Sequence, residues 1–151
     1  MLLPLSRRFE SAPYTASVTE QVEEGKILST RPTAVRARDD DLIGHMTYEL
    51  IGQYPAQDFF IVNQSNAEIQ VSQDLRKDSL RSAEYRLQLV SYDSVYPGNK
   101  ATAMVTVSVE RNPKQPVFVE DDYSVIIDEK HKLGTSVLQV KAEDDDEVMW
   151  K

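Results

Sequence analysis

A residue pattern that returns one domain-length later constrains this chain more than any other feature. Tyr14-x-x-x-Val18-x-Glu20-x-x-x-x-Gly25 recurs as Tyr123-x-x-x-Ile127-x-Glu129-x-x-x-x-Gly134, with the same offset of 109 residues at every position. A second pair follows, Val35-x-Ala37-x-Asp39-Asp40-Asp41 and Val140-x-Ala142-x-Asp144-Asp145-Asp146. These are 105 residues apart, because the first copy carries extra residues near Arg31-Pro32. An offset of that size suits a whole domain and excludes a short solenoid repeat. The chain therefore reads as one complete unit over residues 9–112, with a linker and the first part of a second unit over residues 113–151.

Between these landmarks the apolar period is two, as in half-buried strands: Met46, Tyr48, Leu50; Tyr85, Leu87, Leu89; Ala103, Val105, Val107, Val109. Breakers at Gly52 to Pro55, Asn63 to Ala67 and Tyr96-Pro97-Gly98-Asn99 divide the runs, and no segment carries a long helical stripe. The pattern predicts strands near 13–19, 26–38, 45–51, 59–63, 68–73, 84–92 and 101–110. The spacing suggests an all-β antiparallel sandwich of about seven strands, followed by the first strands of another. Tyr14, Tyr48, Phe60 and Tyr85 alternate with polar residues and are expected in the core.

Charge limits the partners. The formal net charge is −8, and the acids gather at Asp39 to Asp41, Asp121 to Asp122 and Glu143 to Glu147, which disfavours phosphate backbones. Clustered carboxylates repel one another unless a cation lies between them, so each run is either a solvated face or a wall of a cation site. The chain has no cysteine, which removes disulfides, thiolate nucleophiles and sulfur-ligated zinc together. A Gly-x-Ser-x-Gly elbow and a phosphate-binding glycine loop are both missing, so no enzymatic activity is expected. His45 and His131 fall outside the repeated pattern and read as surface residues.

The opening residues Met1 to Arg8 place their basic pair after a few apolar residues, unlike a secretory leader, and read as a fragment's start. No stretch reaches the ~20 apolar residues of a membrane span, so an anchor is expected outside this sequence.

The landmarks resemble the cadherin repeat over nearly the whole chain, from Phe9 to Glu147, which implies a seven-stranded antiparallel Greek-key sandwich of the Ig-like kind. Phe60-x-Val62-Asn63, leading through Asn66-Ala67 to Ile69, is similar to the family's Phe-x-Ile-Asp, turn, Gly-x-Ile segment, with Ala67 where glycine is usual. Tyr85-x-Leu87-x-Leu89-x-Ser91-x-Asp93 resembles its Tyr-x-Leu-x-Val-x-Ala-x-Asp strand. Pro116-Val117-Phe118 is similar to the Pro-x-Phe that opens a following repeat.

The resemblance implies calcium as the ligand, held between successive repeats of a membrane-anchored ectodomain on the extracellular face of the plasma membrane. The implied partners are neighbouring repeats and cadherin ectodomains on the same or another cell, including homophilic contact. The implied metal ligands are Asp39, Asp41 and Asp93 at one end. At the other they are Glu20, Asp78, Glu110, Asn112, Asp144 and Asp146.

Here the chain departs from the family pattern. Leu75-Arg76-Lys77-Asp78 stands for Leu-Asp-Arg-Glu. The linker Glu110-Arg111-Asn112-Pro113-Lys114 stands for Asp-x-Asn-Asp-Asn, with proline at the bridging acid and lysine at the last asparagine. Lys114 and Arg76 are expected near Glu20, Glu110 and Asp144, neutralising charge that calcium would otherwise balance. An exposed pair of that kind is worth only ~0–1 kcal/mol, so the expected joint is calcium-poor and more flexible.

Two readings stay beside the calcium-dependent adhesion module: a mechanical spacer without adhesive contact, and a calcium-independent sandwich that binds protein. Asn63-Gln64-Ser65 matches the N-glycosylation pattern, while Asn63 also suits a turn.

Overall fold

The computed structural model describes residues 7–39 and 45–145, which form two compact units divided between Arg111 and Asn112. Asp41 and Asp146 lie outside the described residues.

The first unit is built on its two longest strands. β1 (Arg8–Phe9), β2 (Tyr14–Thr19), β3 (Ala37–Arg38), β4 (Met46–Gly52), β5 (Phe60–Val62), β6 (Ile69–Val71), β7 (Glu84–Asp93) and β8 (Ala101–Glu110) follow in chain order. In β8, buried and solvent-facing residues alternate along the strand as the pleat requires. Leu87 opposes Val105 and Leu89 opposes Ala103 in the β7–β8 pair, so one face of the hairpin is a continuous apolar surface. The main sheet runs β2-β8-β7-β4. Opposite it, the pairs β1–β3 and β5–β6 supply Phe9, Ala37, Phe60, Ile69 and Val71 to a single core. Tyr14, Tyr48, Phe60 and Tyr85 are all buried as expected, and Phe60 meets Tyr85 edge-on at 5.2 Å between ring centroids.

Three features differ from the sequence reading. β2 and β8 pair in parallel, from Tyr14 opposite Val105 to Thr19 opposite Glu110, while every other named strand pair is antiparallel. The expected strand at 26–38 is regular only at Ala37–Arg38. Its early part bonds to β6 through Leu28 N–H to Ile69 O, and Arg31 then exchanges both backbone bonds with Thr15 of β2. A segment that changes partner sheet, with Pro32 unable to donate, cannot keep one ladder. Finally, Ala56–Phe59 forms one helical turn and Leu75–Lys77 one 3₁₀ turn, both too short to leave a periodic signature.

The second unit repeats the opening of the first in its internal geometry. β9 (Val117–Phe118) pairs with β10 (Ala142–Glu143), setting Phe118 opposite Ala142 as Phe9 is set opposite Ala37. The Tyr14 hydroxyl donates to Glu10 O and lies 3.4 Å from Arg36 O, and Tyr123 donates at 2.8 Å to Lys141 O, the position matching Arg36. Glu10 N–H bonds Arg36 O, and Val119 N–H bonds Lys141 O. The repeated glycines have one cause: Gly25 has φ +84° and Gly134 φ +80°, a left-handed backbone that a Cβ disfavours. In this unit Ile126, Ile127, Leu133, Val137 and Leu138 are exposed.

Gly25→Ala is expected to destabilise the first unit by about 1 kcal/mol through backbone strain alone, since nothing lies within 4 Å of the added Cβ. Gly98→Ala, which is equally uncrowded but has no positive φ, should be neutral or slightly stabilising when both variants are unfolded in urea beside the parent chain.

Candidate functional site

Because β2 and β8 run in parallel, the chain enters the first unit at one pole and leaves it at the other. The acids singled out from the sequence divide between these poles.

At the pole where the chain leaves, β2 ends opposite the end of β8, and Glu20 N–H donates to Glu110 O at 3.0 Å. This register holds Glu20 beside the departing chain, where it is almost wholly buried. The 3₁₀ turn at Leu75–Lys77 begins at Asp74, whose carboxylate accepts from Arg76 N–H, and plugs the pole with the fully buried Leu75. The turn delivers Asp78 at its end. Asp78 Oδ1 accepts from Leu80 N–H at 2.9 Å, while Oδ2 accepts from Ser82 N–H at 2.9 Å and from the Tyr85 hydroxyl at 2.7 Å.

Between these two buried carboxylates lies the guanidinium of Arg111. Its Nη1 donates to Leu75 O at 2.7 Å and to Glu20 Oε2 at 3.3 Å. Its Nη2 donates to Ser82 O and to the Tyr85 hydroxyl, both at 2.8 Å, and reaches Asp78 Oδ2 at 3.5 Å. Nε donates to Ser82 O at 3.1 Å. The Arg111 side chain is 12% exposed, and Arg81 adds a second, more exposed guanidinium 3.3 Å from Glu20.

The pole where the chain enters has the same plan. Arg7, on the chain just before β1, bonds both Asp39 and Asp93 and donates to Asn99 O. Asp93 also accepts from Val95 N–H at 2.8 Å and from Tyr96 N–H. Arg7 and both carboxylates are buried, and the Arg7 Nε has no hydrogen-bond partner.

The expected ligand sets are thus brought together only in part. Asp39 meets Asp93 across Arg7, and Glu20 meets Asp78 across Arg111. Glu110 contributes its backbone carbonyl to Glu20 and has an exposed side chain. Asn112, with φ +53°, and Asp144 belong to the second unit. Of the expected neutralising cations, Arg76 pairs with Asp74 at 2.8 Å and Lys114 with Asp145 at 3.1 Å, and two further guanidiniums, Arg111 and Arg81, reach Glu20. Sequence reading missed Arg7 and Arg111, one in an apparent ragged start and the other at the variable position of the linker. Neither had a motif to mark it. Asn63 is exposed, and its Oδ1 accepts from Ser65 N–H at 2.9 Å in a side-chain turn.

Calcium takes six to eight oxygen ligands. Among the described residues no group of three or more acids or histidines could hold a metal; both carboxylates of each pole bond a guanidinium, and Asp78 and Asp93 also accept from backbone N–H groups. As arranged, the described carboxylates of the first unit hold a guanidinium at each pole and do not by themselves make a calcium site.

The hydrogen bonds leave a titration signature. Burial pushes the Asp78 carboxyl up, but the bonds from Tyr85, Ser82 and Leu80 outweigh it and hold the group below its ordinary 3.8. Tyr85 is raised above its ordinary 10.0, first by burial and then by the bond to Asp78. A depressed carboxyl contributes stability that is present above its unfolded value and is lost as pH falls through the folded one. A raised phenol contributes stability that is present below its unfolded value and is lost as pH climbs through the folded one. Urea unfolding followed against pH should give a plateau bounded near 3.8 and 10.0, and Tyr85→Phe should move the acid limb to higher pH.

Comparison with known proteins agrees with this fold. The family model for the Cadherin domain matches residues 16–110. Protocadherin Fat 1 of Homo sapiens is 35% identical over 89% of the chain, and Cadherin EGF LAG seven-pass G-type receptor 1 of Homo sapiens 33% identical over 92%. The chain spans only 3% and 4% of their lengths. Among solved structures, Drosophila N-cadherin EC1-4 superposes with a TM-score of 0.67 at 23% identity, over 95% of this chain and 34% of that one. Human Protocadherin-24 EC1-2 gives 0.60 at 23% identity, over 96% and 62%. With the family model covering residues 16–110, most of the first unit, the chain belongs to the cadherin-domain family.

Proposed function

We propose that the chain is a load-bearing repeat of a membrane-anchored, extracellular adhesive ectodomain, joined at both ends to neighbouring repeats, with joints that bind calcium weakly or not at all. The observation that carries this reading is the parallel pairing of β2 with β8. Entrance and exit at opposite poles make such units extend end to end. Tension applied between those poles loads the β2–β8 hydrogen bonds along the strands, so many bonds share it.

The proposed ligands Asp39, Asp41 and Asp93, and Glu20, Asp78, Glu110, Asn112, Asp144 and Asp146, remain the groups through which calcium would act. At each pole it would have to displace an arginine. That competition favours the spacer among the readings the sequence left open. Adhesive contact, homophilic or with another cadherin ectodomain, then falls to other parts of the parent protein.

Beads coated with the parent ectodomain should aggregate, and excess soluble chain of residues 1–151 should leave aggregation unchanged. Competition by the soluble chain would make this repeat itself the contact. Failure of the coated beads to aggregate would sink the adhesive reading. Secretion from a glycosylating host should give a heavier species that shortens on glycan removal and is lost in Asn63→Gln; an unmodified product would remove Asn63 as a glycan site.

A further inference from the structure

The disagreement between the buried acids and a calcium site has a direct chemical resolution at the pole where the chain leaves. We infer that Arg111 is the resident cation of this pole, a covalently attached guanidinium that makes the end of the first unit independent of calcium. The inference goes beyond the adhesive reading and depends on this pole alone.

A divalent ion placed here would have to neutralise Glu20 and Asp78 and be surrounded by oxygen. Arg111 meets the same demand in other terms. It brings positive charge to both carboxylates and donates to three further oxygens, those of Leu75, Ser82 and Tyr85. Each of its three nitrogens has an acceptor, whereas the Nε of Arg7 at the opposite pole has none. A planar fork with fixed donors suits this cage, which a lysine ammonium could not span.

Displacing the guanidinium would strand more than the charges. The Ser82 carbonyl would lose both donors Arg111 gives it, the Leu75 carbonyl would keep only Asp78 N–H at 3.2 Å, and Asp78 Oδ2 would still be committed to Ser82 N–H and the Tyr85 hydroxyl. Buried polar groups left without partners are costly, so calcium starts at a disadvantage. The following linker adds little to help it: Pro113 has no side-chain oxygen, and Lys114 is a cation paired with Asp145.

The test follows the Arg111 Nε–Hε resonance in nitrogen-15 spectra of the whole chain, assigned by its loss in Arg111→Lys. The signal is expected to be sharp in EDTA and to stay in place as calcium is raised to about 10 mM, well above the range of weak extracellular calcium modules. A signal missing in EDTA, or one that moves saturably with calcium and stops doing so in Glu20→Gln, would overturn the inference.

Thermal melting in EDTA gives an independent reading. Arg111→Ala should lower the transition of the first unit by at least about 5 °C, and Arg111→Lys should recover only a small part of the loss. A smaller fall in Arg111→Ala, or full recovery by lysine, would likewise overturn it. Should Arg111→Ala not fold, the wild-type resonance alone decides.

Discussion

The register of β2 against β8 is the constraint on which the rest of this unit depends. Thr19 opposite Glu110 fixes where the first long strand ends relative to the last, and so sets Glu20 against the backbone that leads into Arg111. In a parallel pair the bonds are evenly spaced and slanted, and a shift of one residue would turn every side chain of β2 to the other face. Tyr14 and Ala16 would leave the core, and Glu20 would no longer meet the guanidinium. One backbone alignment therefore serves packing, the direction of the chain through the unit, and the electrostatics of its exit.

Carboxylates buried at both poles impose the second requirement. Removing an ionised group from water is costly unless charge and hydrogen bonds are returned to it, and breaking a buried pair commonly costs ~3–5 kcal/mol. Each pole answers with an arginine from the chain just entering or just leaving, close in sequence to the strand that frames it. Such pairs rarely stabilise a fold more than an apolar replacement of the same shape would. Their effect here is directional. Arg111 is tethered one residue beyond β8, so the end of the strand, the 3₁₀ turn and the Asp78 loop are held in one arrangement by one side chain.

The two units also show why the repeated residues repeat. Tyr14 and Tyr123 each close the start of a unit by bringing the hydroxyl to the backbone carbonyl between the repeated valine and alanine of its own copy. The glycines share a left-handed backbone, and Phe9 and Phe118 oppose matching alanines. The pattern is thus a set of backbone fastenings. The difference between the copies lies in burial: Tyr14 is sealed under the first unit's core, while the apolar residues around Tyr123 remain exposed.

The sequence by itself determined the sandwich, its principal strands and its core, because alternation in β7 and β8 fixes which side chains face inward. It also determined the repeat, since a tyrosine-to-carbonyl bond and a left-handed glycine each demand a particular residue at a particular place. Only the tertiary structure decided the irregular path from Lys26 to Arg38, which bonds first to β6 and then to β2. It also decided the cations. Arg7 and Arg111 sit 32 and 91 residues from carboxylates they bind, and a guanidinium on a flexible stem takes its partner from three-dimensional proximity, which no local spacing encodes.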